Sequence, residues 1–156
     1  MIISEKRSLT MKAKDILETK GSRVVTCHED NTLSEALSVF AANKIGSLLV
    51  VDDNDNIKGI IAPRDILLVV LNDLENFKNT KTKDIMSTNL IVAGMDDSVG
   101  YLQAIMTENK IRHVPIMEGP KLKGILSIGD VVKAQMVEKE VENRYLKDYI
   151  EGKYPG

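Results

Sequence analysis

GILSIGDVVKAQM, residues 124–136, reads as the end of a buried strand, a short polar turn and the opening of a helix. The same corner is written 65 positions earlier as GIIAPRDILLVVL, residues 59–71. Each copy sets a carboxylate, Asp65 and then Asp130, in the first turn of its helix. The duplication points to an internal repeat, and the rest of the chain is read outward from it.

The repeat extends in both directions. KDIL at 14–17 returns as KDIM at 83–86, a shift of 69. VVTCHEDNTLSEALSVFAANKIGSLLVVDD at 24–53 lines up with LIVAGMDDSVGYLQAIMTENKIRHVPIMEG at 90–119, a shift of 66, so the length differences fall in turns. RVVTC and LIVAG are short β-branched runs that predict buried strands. Thr32 and Glu35 form a capping-box pattern, and the predicted helix behind it carries Leu33, Leu37 and Phe40 with Ala36 beside them. Ser98 opens the equivalent helix, where Val99, Leu102 and Met106 repeat the stripe. Two apolar runs around an Asp, Asn, Gly or Pro turn then predict a hairpin in each copy, followed by helices from about Pro63 and Gly129.

Each copy is therefore β-α-β-β-α, and the expected fold is α/β: two pseudo-symmetric repeats packed through their sheets. The expected boundaries are a stub at 1–9, repeats at 10–77 and 78–136, and a helical extension at 137–156. One such unit buries little surface alone, which favours pairing. In the extension, Val137, Val141, Tyr145 and Tyr149 recur one turn apart on a charged background, a pattern suited to a contact surface.

A net charge of -2 gives no excess of positive charge for nucleic acid or membrane. The run ILLVVL, residues 66–71, is far short of the roughly 20 residues that span a bilayer. The opening residues lack the apolar core of a signal peptide, so a cytoplasmic location is expected. Cys27, the single cysteine, allows no internal disulfide, and His28 and His113 lie in different copies, away from metal-ligand spacing. The phosphate-loop, nucleophile-elbow and H-E-x-x-H patterns are all missing, so no catalysis is expected.

Over about residues 10–132 the duplicated corners, the segment KIRHVPI at 110–116 and the spacing between copies resemble a tandem pair of CBS domains, also called a Bateman module. The resemblance implies an effector containing adenosine (AMP, ADP, ATP, NAD or S-adenosylmethionine) bound in clefts between repeats, and a homodimer. It implies that the corner aspartate holds the ribose hydroxyls, that the Ser or Thr three residues before it helps bind ribose or phosphate, and that main-chain groups of the first two strands enclose the base. Carried onto this sequence, the second site comprises Ser127 and Asp130 with Ile91, Val92, Val114 and Pro115. The first comprises Arg64 and Asp65 with Val24, Val25, Ile45, Gly46 and Ser47, but has Ala62 where the hydroxyl belongs.

The chemistry stands without the family. A carboxylate accepts from two neighbouring hydroxyls, which suits a ribose diol, and a helix amino terminus favours phosphate. Arg112 and His113 offer further donors, where the first copy has Gly46 and Ser47. The plain alternatives are that the aspartates merely complement a helix dipole, worth about 0.3–1 kcal/mol, and that Ser127 is only a cap. The expected function is a non-catalytic sensor acting on an unidentified target protein; the alternative is a structural adaptor with degenerate clefts.

Overall fold

The computed structural model describes residues 10–152; the stub at 1–9 and residues 153–156 of the extension lie outside the described residues. In chain order the elements are α1 (Ala13–Lys20), β1 (Thr26–His28), α2 (Leu33–Asn43), β2 (Leu48–Val51), β3 (Ile57–Ile61), α3 (Pro63–Asn72), a 3-10 turn (Asn76–Asn79), α4 (Thr82–Ile85), β4 (Ala93–Gly94), α5 (Val99–Asn109), β5 (His113–Glu118), β6 (Lys121–Ser127) and α6 (Ile128–Ile150). The described residues form two compact units, one from Val24–Leu90 and one that joins residues 91–152 to residues 10–23.

In the first unit β2 is the central strand, parallel to β1 and antiparallel to β3. All four of its residues are buried, as a strand with neighbours on both edges requires. Parallel neighbours need a crossover, which α2 supplies. Its capping box forms as the sequence predicts: the Glu35 amide donates to Thr32 Oγ1 at 3.2 Å and the Thr32 amide to Glu35 Oε1 at 3.5 Å. Leu33, Ala36 and Phe40 face the core, with Cys27, Leu48, Val50, Ile61 and Ile66. Leu37, expected in that stripe, is instead exposed, because the buried face runs through 33, 36 and 40 and leaves 37 at its edge beside Pro63 and Leu67.

The second unit repeats this plan with β4, β5 and β6 around Val99, Leu102, Met106, Val114, Ile116 and Leu126. Even the irregularities recur: the β2/β3 register shifts between Val50 and Val51, and the β5/β6 register between Ile116 and Met117. The first strand of each copy is shorter than its apolar run predicts. The parallel ladders start at Thr26↔Leu49 and Ala93↔Ile116, so Val24, Val25, Ile91 and Val92 are lead-in segments.

The KDIL and KDIM segments belong to the unit of the opposite repeat. Helix α4 closes the β1–β3 unit: the Thr82 and Lys83 amides donate to the carbonyls of Asn31 (2.9 Å) and Glu29 (3.1 Å), and the buried Thr82 hydroxyl donates to His28 O at 2.8 Å. Helix α1 closes the β4–β6 unit in the same way, with the Ala13 and Lys14 amides on Asp97 O (2.9 Å) and Met95 O (3.0 Å). A glycine permits each closure, because a Cβ on Gly59 would lie 2.6 Å from Met86 Sδ, and one on Gly124 2.5 Å from Leu17 Cδ2.

Helix α6 starts at the second corner and continues without a break for 23 residues, so the predicted extension is its outer half. Val131 and Ala134 are its buried residues, while Met136, Val137, Leu146, Tyr149 and Ile150 are exposed. Among the described residues no helix is long and apolar enough to cross a membrane.

Candidate ligand site at the second corner

Strand β6 ends at Ser127, where the chain turns directly into α6. The turn is fixed by a reciprocal cap: the Ser127 amide donates to Asp130 Oδ2 at 2.8 Å, and the Asp130 amide to Ser127 Oγ at 3.1 Å. The strand register sets His113, first residue of β5, opposite Ser127, and the Ile128 amide donates to Arg112 O at 2.8 Å. Arg112, His113, Ser127 and Asp130, all singled out from sequence, thus meet at one corner.

Sequence reasoning missed Lys20. From the last turn of α1, its Nζ donates to Asp130 Oδ2 at 2.6 Å and to Ile125 O at 2.9 Å. The signal was a charge difference between copies, since continuing the KDIL/KDIM register sets Lys20 against Asn89. A cavity of about 330 Å³ opens beside this pair, with Thr19, Lys133 and the apolar Met11, Ile16, Ala134 and Val137 in its walls. That is the lower end of the size range for small-molecule pockets, about 300–1,000 Å³.

The charges tune one another. Burial works to raise the Asp130 pKa, but the hydrogen bonds from Lys20 and the Ser127 amide outweigh it and hold the carboxyl below its ordinary range. His113 is pushed down, by burial first and then by the positive charge of Lys20, with Arg112 adding to it and Asp130 opposing. At neutral pH the corner thus holds an ionised carboxylate and a neutral imidazole beside the basic side chains of Lys20 and Arg112. Val114 and Pro115 are buried in β5, and Ile91 and Val92 run ahead of the ladder that starts at Ala93↔Ile116.

The first corner is plainer. Asp65 accepts from the Ala62 amide at 2.8 Å, and Ala62 has no hydroxyl to return the cap. Among the described residues no ion pair reaches Asp65. Arg64 and Gly46 are exposed, and Ile45 and Ser47 are half-buried just before β2, with Val24 and Val25 before β1.

The duplicated architecture and both corners coincide with a known family. The CBS domain profile matches residues 13–72 and 83–137. The chain belongs to the CBS-domain family. Among its relatives, the mitochondrial CBS domain-containing protein CBSX3 of Arabidopsis thaliana is 32% identical over 148 residues, covering 90% of this chain and 72% of that protein. Of the solved structures, the CBS-domain containing protein ATU1752 from Agrobacterium tumefaciens superposes with a TM-score of 0.76 at 35% identity, covering 81% of this chain and 94% of that one. The CBS domain pair of protein MJ0100, solved in complex with 5'-methylthioadenosine and S-adenosyl-L-methionine, superposes at 0.69 with 26% identity, covering 80% and 94%.

Proposed function

We propose that this CBS pair is a non-catalytic regulatory module that senses an adenosine-containing ligand (AMP, ADP, ATP, NAD or S-adenosylmethionine) at the corner of Ser127 and Asp130. The observation that carries the reading is the state of Asp130. Its carboxyl is kept ionised at the edge of a cavity, and its hydrogen bonds among the described residues all fall on Oδ2, which leaves Oδ1 open. An open carboxylate oxygen accepts from both hydroxyls of a ribose diol. Main-chain groups of Ile91, Val92, Val114 and Pro115, lying at or ahead of the start of the parallel ladder, suit the edge of an adenine. The adenosine compounds in the MJ0100 complex support the same class.

Regulation requires that the ligand bind two states of the module unequally, since equal binding shifts nothing. In this reading the responding target is a separate cytoplasmic protein, and two copies of the module pair through apolar surface such as the outer half of α6. The adaptor alternative draws on one observation: α3, which follows the corner without a hydroxyl, exposes Leu67, Leu68 and Leu71. A thermal-unfolding panel with AMP, ADP, ATP, NAD and S-adenosylmethionine tests the choice. A ligand at 100 times its Kd adds about 2.7 kcal/mol to stability. A rise in Tm with one of the five supports the sensor, and no rise with any supports the adaptor.

A further inference from the structure

Resting on the reading of this corner as an adenosine site, we infer that Lys20 makes the site select ligands that carry phosphate and reject the sulfonium of S-adenosylmethionine. Lys20 reaches Asp130 from a distant part of the chain, and its ammonium has three donors. One is spent on Asp130 Oδ2 and one on Ile125 O, so the third is left for a bound molecule. The same contact fills Oδ2 and directs a ribose diol to Oδ1, which places the sugar within reach of the Lys20 ammonium.

Whatever extends from the sugar then meets positive charge in either direction. On the cavity side stand Lys20 and Lys133, with the Thr19 hydroxyl as a further donor. On the β5 side stand Arg112 and the half-buried His113, an imidazole that retains a donor while neutral. Among the described residues Asp130 is the one acidic group in the walls of the cavity, and Lys20 already neutralises it. Of the carboxylates nearby, Glu138 accepts from the Met11 amide at 2.8 Å. A phosphate gains charge-assisted hydrogen bonds in this setting. A sulfonium has no acceptor to offer, and like charge held in a partly desolvated site is disfavoured.

Isothermal titration of the full chain with adenosine, 5'-methylthioadenosine, AMP, ATP and S-adenosylmethionine, repeated on Lys20→Met, tests the assignment. The expected result is that AMP or ATP binds at least tenfold tighter than 5'-methylthioadenosine or S-adenosylmethionine, and that Lys20→Met narrows this gap tenfold or more while adenosine binding stays within about threefold. S-adenosylmethionine binding as tightly as AMP to the wild-type chain would overturn the charge assignment and leave the adenosine site standing. So would an equal loss for all five ligands in Lys20→Met, since that marks a purely structural lysine. No binding of any of the five would overturn the site itself and the inference with it. Should Lys20→Met fail to fold, the wild-type order of affinities decides alone.

Discussion

Lys20 Nζ lies 2.6 Å from Asp130 Oδ2, although 110 residues separate them along the chain. The cation comes from the helix that opens the first sequence repeat, and the carboxylate from the corner that closes the second. Asp65, the counterpart of Asp130, holds its cap with no such partner among the described residues. The two corners share a backbone design and differ in electrostatics, and the differences expected between them follow from that.

Both aspartates satisfy an amide at the head of a helix, so Asp65→Ala and Asp130→Ala should each cost about 1 kcal/mol in urea unfolding. Ligand affinity should separate them. Asp130→Ala also strips Lys20 of its partner and removes the open Oδ1, so calorimetry should show a tenfold or larger loss of nucleotide affinity there and little change in Asp65→Ala. The reverse order would mean that the first corner is the main site.

His113 gives stability a pH dependence of known sign. Its folded pKa lies below the ordinary value of about 6.5, so between the two values the unfolded chain binds more protons than the folded one. Stability should therefore be highest above pH 6.5 and fall as the pH drops through the folded value. Urea midpoints measured at pH 7 and pH 5 should fall further for the wild type than for His113→Gln. Asp130, whose pKa is also depressed, keeps its contribution above the ordinary carboxylate range and loses it as the pH falls from there through its lower folded value.

Gly59→Ala and Gly124→Ala should not be equivalent. A Cβ at Gly124 meets only atoms of the Leu17 side chain, which can shift where a backbone atom cannot. A Cβ at Gly59 meets Met86 and also lies 2.8 Å from the carbonyl oxygen of Ser87, a backbone atom held by paired bonds of 3.0 and 2.9 Å between Ile60 and Ser87. Within the usual overpacking range of about 1–3 kcal/mol, Gly59→Ala should sit near the top and Gly124→Ala near the bottom. Equal midpoint shifts in urea would contradict this.

Burial pushes the Cys27 thiol up to about 11, against a smaller opposing effect from Thr82. With so little thiolate at pH 8, a disulfide reagent should label native protein only as fast as the chain opens, and label it at once in denaturant. Prompt labelling of the native chain would show that β1 is not closed over by α4 as described.

What the sequence made legible was local. The corners, the Thr32/Glu35 box and the hairpins are each written within a few residues, and duplication made them readable twice. Leu37 misled because a stripe of three apolar residues can be drawn on α2 in more than one way, and only packing on the sheet selects Ala36 over Leu37. The strands predicted over RVVTC and LIVAG came out short because ladder length depends on the partner strand and not on the β-branched run itself. Lys20 differs in charge from its counterpart Asn89, but that difference names no partner. Its role depends on α1 packing beside β6, a relationship between segments that no spacing pattern encodes.

The berth of α1 also bears on how the protein is made. Its Lys20 is anchored to the Ile125 carbonyl, 105 residues further on, and its Leu17 side chain lies against Gly124. During translation at about 5–20 residues per second, this early helix emerges many seconds before the strand that will receive it. Until then Ile16 and Leu17, buried in the finished protein, have nowhere native to go. A nascent chain of this design must keep α1 waiting for β6.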